Sequence, residues 1–237
     1  MQNATRRFEG KDVVVTGGSG ALGSAVVGRL LAEGARVHVP WFKANELEGW
    51  PHAGKLALSK VNLEAEPEVG EYFRSLPALY ASIHVAGGFA MAPIVETSGA
   101  DFERQWRLNA LTAFLCCREA VRAMRRSAEF ARDGGRIVNV AARPVLMPVG
   151  GMIAYSASKA AVASITQSLA EETKAERILV NAVVPSIMDT PANRAAMPKA
   201  DHASWPKVDE VAAAITFLAS PDNAVTSGAL VPVYGRA

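Results

Sequence analysis

Short runs of β-branched and aliphatic residues alternate with longer stretches of helical period along this chain. No other feature of the sequence restricts the fold as strongly. The runs fall near residues 12-16, 35-40, 55-61, 81-86, 135-141, 178-184 and 229-234. Continuous apolar strands with helix-period segments between them predict right-handed βαβ crossovers. The expected product is an α/β protein, a seven-stranded parallel sheet covered by helices on both faces. With 237 residues, half of them hydrophobic, the chain suffices for one such domain. No repeat, low-complexity tract or linker divides it. Segment 185-206 stands apart, holding Pro185, Met188, Pro191, Met197, Pro198, His202, Trp205 and Pro206 without clear periodicity. It is too long for an ordinary connection, and it follows the C-terminal end of a strand, where ligands of open α/β sheets bind. A substrate lid is the expectation, with a mobile insertion as the alternative.

The first strand, Asp12 to Thr16, runs directly into Gly17, Gly18, Ser19, Gly20, Ala21, Leu22 and Gly23, and then into a helix-period segment through Leu31. Glycines at a strand-to-helix turn let the backbone approach a pyrophosphate closely. The helix N-terminus offers the anion unpaired N–H groups and a positive dipole end. No lysine follows the last glycine, which excludes a nucleoside-triphosphate P-loop. A dinucleotide is the expected ligand.

Tyr155 and Lys159 lie four residues apart in a stretch that reads as helix, so phenol and ammonium share one face. A tyrosine titrates near pH 10, and work near neutrality calls for about 4 kcal/mol of differential stabilisation of the phenolate. Lys159 and a cationic nicotinamide ring are the expected sources. A net charge of +2 with scattered basic residues points to neither nucleic acid nor a membrane surface. Arg122, Arg125 and Arg126 read as a solvated helix face. Cys116 and Cys117 are adjacent, which suits neither a disulfide nor a zinc site; they read as reduced, half-buried thiols of a cytoplasmic protein. Residues 1-10 lack an apolar signal core, and 75-95 is broken by Pro77, His84, Gly87, Gly88 and Pro93, so neither reads as a membrane segment. His38, His52, His84 and His202 form no metal-ligand cluster, and His84 reads as a hydrogen-bonded core histidine.

Together these residues carry a family resemblance over nearly the whole chain. The sequence resembles the short-chain dehydrogenases/reductases, with their single-domain Rossmann fold. The matching positions are Thr16, Gly17 and Gly23 in the first loop, Ala86 and Gly87 after the fourth strand, Asn109, Tyr155 with Lys159, and Pro185 with Thr190. The resemblance implies that Tyr155 donates a proton, that Lys159 holds the nicotinamide ribose and depresses the phenol pKa, and that Asn109 supports a proton relay. It further implies that Asn62 and Leu63 contact adenine, that Gly88 continues the Ala86–Gly87 wall, and that Ile187 and Thr190 surround the carboxamide. The expected cofactor is NADP(H) or NAD(H). The long apolar helices near 101-128 and 152-175 suit a homodimer or homotetramer.

Departures from the family pattern bear on the substrate. Ala142 stands where the family usually carries a serine that hydrogen-bonds a carbonyl oxygen. Arg143 follows it and offers a replacement donor. Patches at 20-24, 85-88, 151-153 and 189-205 are similar to the dihydropteridine reductase branch. That makes a quinonoid dihydropterin or other conjugated imine the first expected acceptor, with Met197 and Trp205 as candidate substrate contacts. A ketone, aldehyde or 3-oxoacyl group is the alternative, and a non-catalytic dinucleotide-binding scaffold or sensor the third reading. At the end of the second strand Trp41 takes the place of the usual acidic residue, with Lys43 close behind. Weak cofactor discrimination with a slight lean to NADPH is expected.

Overall fold

The computed structural model describes residues 6–236. Residues 1-5, part of the segment read as lacking a signal core, lie outside the described residues. Seven strands form one parallel sheet: β1 (Asp12–Thr16), β2 (Arg36–Trp41), β3 (Ala57–Lys60), β4 (Ala81–His84), β5 (Gly135–Val140), β6 (Ile178–Pro185) and β7 (Leu230–Val233). Their spatial order is β3-β2-β1-β4-β5-β6-β7, and the seven-stranded parallel sheet is the one expected. Helices cover both faces, so side chains of either parity along the inner strands are buried, and most of them are apolar. In β1, Val13 and Val15 join one core with Val26, Ile83, Val183 and Ile215, while Val14 joins the other with Phe73, Leu115, Ile137 and Val180.

The helices are α1 (Ala21–Ala32), α2 (Glu66–Ser75), α3 (Gly99–Trp106), α4 (Thr112–Arg126), α5 (Phe130–Asp133), α6 (Ile153–Thr173), α7 (Pro191–Ala196) and α8 (Val208–Ala219). On one face α1 packs against α8; on the other α4 lies against α2 and α6. The sheet reverses direction of growth between β1 and β4, which opens a crevice at the carboxyl ends of those strands.

Two expectations need correction, the single helix over 101-128 and the half-buried thiols, while the structure adds detail to the segment 185-206. The segment 101-128 is not one helix, because a π-helical turn at Arg107–Leu111 separates α3 from α4. The segment 185-206 is partly helical and tethered: Thr190 Oγ1 accepts from the Asn193 amide at 3.1 Å, capping α7. Asp189 and Lys207 form a bridge, and the Arg236 amide donates to Ser204 O at 2.8 Å. Cys116 and Cys117 are fully buried rather than half-buried, and desolvation pushes the Cys117 thiol up to about 12.

Candidate active site at the carboxyl edge of the sheet

The floor of the crevice is built from glycines whose missing side chains are structural requirements. A Cβ on Gly17, which sits at φ +65°, would lie 2.8 Å from the Ala86 amide nitrogen. One on Gly18 would lie 2.8 Å from a Val39 methyl. These approaches bring the β1–α1 turn against the end of β4, where the Ala86 amide donates to Thr16 Oγ1 at 3.2 Å. Helix α1 begins at Ala21 after Gly20 with no side-chain cap. Ser19, Gly20, Ala21, Leu22 and Gly23 therefore present a helix N-terminus to the crevice, fit for a pyrophosphate.

The wall after β4 is Val85 to Gly88. Asn109, only 1% exposed, sits in the π-helical turn and clamps this wall. Its Oδ1 accepts from the Gly88 amide at 3.1 Å, and its Nδ2 donates to Gly88 O at 3.0 Å, Gln105 O at 3.1 Å and Ser158 Oγ at 3.2 Å. Single π-helical turns interrupt α-helices mostly at functional positions; here the widened turn brings Asn109 against Gly88. Ser158 in turn donates to Tyr155 O at 2.8 Å, linking the clamp to α6.

Tyr155 and Lys159 lie one turn apart on α6. The Lys159 ammonium donates to Val140 O, the last residue of β5, at 2.8 Å. A Cβ on Gly87 would meet Asn109 Oδ1 at 2.5 Å and the Lys159 Nζ at 3.4 Å, so the glycine keeps this corner open. Lys159 has N–H bonds left over after Val140, and they suit ribose hydroxyls. Burial lowers its pKa from 10.5 to about 8.

In the free protein, burial acts on the phenol before any cofactor does. Burial raises the Tyr155 pKa from 10.0 to about 12. The ring of Phe89 packs edge-on against it at 4.9 Å and 84°, and the Lys159 ammonium is engaged by the Val140 carbonyl. Without a bound cationic ring, Tyr155 is a neutral acid.

Elsewhere the expected site residues divide. Trp41 ends β2, half-buried, with the Lys60 ammonium 6.0 Å from its ring; Lys43 is exposed, its backbone N–H donating to Glu46 Oε1 at 3.1 Å. Asn62 Oδ1 accepts from the Glu64 amide at 3.1 Å, shaping the turn after β3, with Leu63 half-buried beside it. Pro185 ends β6, Ile187 is 44% exposed, and Thr190 is buried. Ala142 is buried with extended backbone. Arg143 follows it, and its guanidinium stacks over the Tyr234 ring at 5.2 Å. Trp205 is 7% exposed with its ring 4.6 Å from that of His202, and His202 bonds the Met197 carbonyl at 2.8 Å. Phe89, Lys60, Gln105 and Ser158 contact these candidate residues, and the sequence alone does not single them out.

A dinucleotide crevice with a tyrosine, a lysine and an asparagine at its reactive end defines an oxidoreductase. Residues 11–201 match the family model for short chain dehydrogenases, and the chain belongs to that family. Glucose 1-dehydrogenase of Gluconobacter oxydans is 31% identical, the alignment covering 97% of this chain and 92% of that protein. The 3-beta-hydroxysteroid dehydrogenase of Comamonas testosteroni is 29% identical over 94% of both chains. Among solved structures, a dehydrogenase/reductase from Sinorhizobium meliloti superposes with a TM-score of 0.83 at 28% identity, covering 98% of this chain and 96% of that one. The family and the fold support a nicotinamide dinucleotide in the crevice. Among the described residues no helix is long and apolar enough to cross a membrane.

Proposed function

We propose that this protein is an NAD(P)H-dependent reductase of an apolar carbonyl compound, with Tyr155 as the proton donor. The observation that carries this reading is the character of the mouth above Tyr155. Phe89, Met91, Leu146, Met147, Val149 and Ile153 are all exposed there, Phe89 and Met91 at 60%. The bridge between Ala92 and Met152 ties the two loops that bear them. Beside these loops, toward α3, lies a cavity of about 200 Å³ whose lining includes Met91, Met152 and Ile153 together with Thr97, Asp101 and Gln105. Contiguous apolar surface of this kind marks a binding site.

Bound nicotinamide dinucleotide supplies hydride to the carbonyl carbon. Tyr155 gives its proton to the carbonyl oxygen, and the Lys159 ammonium stabilises the phenolate that results. Asn109 holds the Gly88 wall and, through Ser158, the first turn of α6, and supports the return of a proton to the site. Apolar side chains at the mouth exclude water, which strengthens these interactions.

The dihydropterin reading is weakened by the same mouth. A pterin has a heteroatom-rich edge, and each unmade hydrogen bond costs about 1–3 kcal/mol on burial. A conjugated imine or quinonoid dihydropterin remains the second reading, favoured by the methyl of Ala142. Weak cofactor discrimination with a lean to NADPH is supported by Trp41 and by Lys43 and Lys60 nearby. The exposed Phe102, Trp106 and Phe114 of α3 and α4 support a homodimer or homotetramer, and two buried free thiols suit the cytoplasm. Segment 185-206 is proposed as the substrate lid, with Ile187 and Met197 as its contacts.

Following nicotinamide absorbance with apolar ketones, aldehydes, 3-oxoacyl thioesters, quinones and quinonoid dihydropterin side by side tests the reading. Turnover of the dihydropterin alone would overturn it.

A further inference from the structure

The sheet face under the site contains a polar chain that the proposed chemistry does not use. His84, the last residue of β4, is 5% exposed and bonded at both ring nitrogens. Nε2 pairs with Ser82 Oγ at 2.8 Å, and Nδ1 with Asn139 Oδ1 at 2.7 Å. The Asn139 amide donates to Thr166 Oγ1 on α6 at 2.9 Å, so its oxygen is the acceptor toward His84. Nδ1 therefore carries the proton, and Nε2 accepts from the serine hydroxyl. Cys117 of α4 closes the group, its thiol 3.5 Å from Asn139 Oδ1 and 3.6 Å from Nδ1. Among the described residues no charged side chain contacts the imidazole. Desolvation lowers the pKa of His84 from 6.5 to about 4, consistent with a neutral ring.

Three structural ties to the site leave from this point. Along β4, His84 leads directly into Val85, Ala86, Gly87 and Gly88, the wall that Asn109 clamps. Across the sheet, His84 is in register with Asn139, the neighbour of Val140, whose carbonyl holds the Lys159 ammonium. Through Thr166, Asn139 is fastened to α6, which carries Tyr155 and Lys159. A buried side chain that bonds two elements at once sets their relative position more tightly than apolar packing, since an unmade bond there is expensive.

We propose that His84 is a positioning residue. Its neutral, Nδ1-protonated ring fixes the end of β4 against β5 and so places Gly87–Gly88, Val140 O and Lys159 at one geometry. This rests on the reading of Tyr155 and Lys159 as the reacting pair, but it has a consequence in the free protein. The Gly88 amide, protected by Asn109 Oδ1, exchanges its hydrogen only when the wall opens.

The test compares His84→Ala, His84→Asn and Thr166→Val by amide hydrogen exchange, melting temperature and kinetics. In His84→Ala the Gly88 amide is expected to exchange about tenfold faster or more, while amides of α8 and β7 keep wild-type rates. His84→Asn retains a donor near the Nδ1 position and is expected to restore most of the protection. With a substrate in hand, His84→Ala is expected to lower kcat about tenfold and leave KM for the dinucleotide within about twofold. Thr166→Val breaks the same chain without touching His84 and is expected to reproduce the local effect, which keeps the test open if His84→Ala does not fold. Unchanged exchange at Gly88, or acceleration spread evenly over the sheet, would overturn the proposal. Failure of the carbonyl reading leaves the exchange result standing.

Discussion

Replacing Gly87 by alanine probes the corner where cofactor and reacting groups meet. The φ of Gly87 is not positive, so the substitution adds no backbone strain and its effect is steric. The new methyl would lie 2.5 Å from Asn109 Oδ1, where ordinary van der Waals contact begins at 3.4 Å. Asn109 cannot retreat freely, because its amide is bonded to Gly88, Gln105 and Ser158. Overpacking a fixed neighbour costs about 1–3 kcal/mol, and a strained bond to the Gly88 amide adds about 1 kcal/mol. For a domain of this size about 2 kcal/mol lowers Tm by about 4–8 °C. The Lys159 Nζ, 3.4 Å from the same methyl, shifts with the wall, and a misplacement near 1 Å costs about a hundredfold in rate. The assay is a thermal melt together with kcat/KM. Gly54→Ala serves as the control: nothing lies within 4 Å of its added methyl, and the change is expected to stay within about 0.5 kcal/mol of neutral. Gly87→Ala with wild-type Tm and kcat/KM would refute the reasoning.

Tyr155→Phe is expected to lower kcat by about 10²–10⁴ while dinucleotide affinity, measured by titration, stays within about twofold; comparable turnover would remove the phenol from the reaction. Ala142→Ser is expected to raise activity on apolar ketones about tenfold to a hundredfold, because it adds one donor at the carbonyl, and a neutral or harmful result on every ketone would favour the conjugated imine. Kinetics with both cofactors are expected to differ by less than about a hundredfold, with NADPH slightly ahead; about a hundredfold preference for NADH, or 2.7 kcal/mol, contradicts the part given to Trp41 and the lysines.

What the sequence displays depends on how local its cause is. Parallel strands buried on both faces need continuous apolar runs, so β1, β5 and β6 stand out from composition alone. β3 is less distinct because it lies at the sheet edge and its four residues are partly exposed. The spacing of Tyr155 and Lys159 is local to one helix and is equally legible. The π-helical turn at Asn109 is not, since Arg107 to Leu111 has ordinary helix-forming composition and the widened turn is held by Gly88 and Ser158 from other elements. Phe89 reads as a loop residue until the fold sets it on Tyr155. Arg143 sits beside Ala142 in sequence, yet its guanidinium lies over the ring of Tyr234, from the far end of the chain. The burial of the Tyr155 phenol in the free protein is illegible for the same reason: a neighbouring ammonium can be counted from spacing, whereas desolvation and the bond of that ammonium to Val140 O belong to the tertiary structure.

That burial has a directional consequence for catalysis. Tyr155 is an acid whose pKa is raised to about 12 by burial, so its proton-donating form persists to higher pH than in water. Lys159, lowered to about 8, keeps its charge below that pH and loses it above. Reduction uses the neutral phenol and the ammonium together, and its rate is therefore expected to be flat from about pH 6 to 8 and to decline above 8 as Lys159 deprotonates. Oxidation uses the phenolate, of which about one part in a thousand exists at pH 9 when the pKa is near 12. A bound oxidised nicotinamide is cationic and lowers the phenol pKa; the reduced ring is neutral and does not. Oxidation is thus expected to accelerate with rising pH, while reduction proceeds at neutrality without a shifted phenol. Steady-state pH profiles in both directions measure this. A reduction rate that turns down tenfold per unit starting below pH 7, ahead of the Lys159 titration, would place the phenol pKa near neutrality and overturn the assignment of burial as the controlling cause.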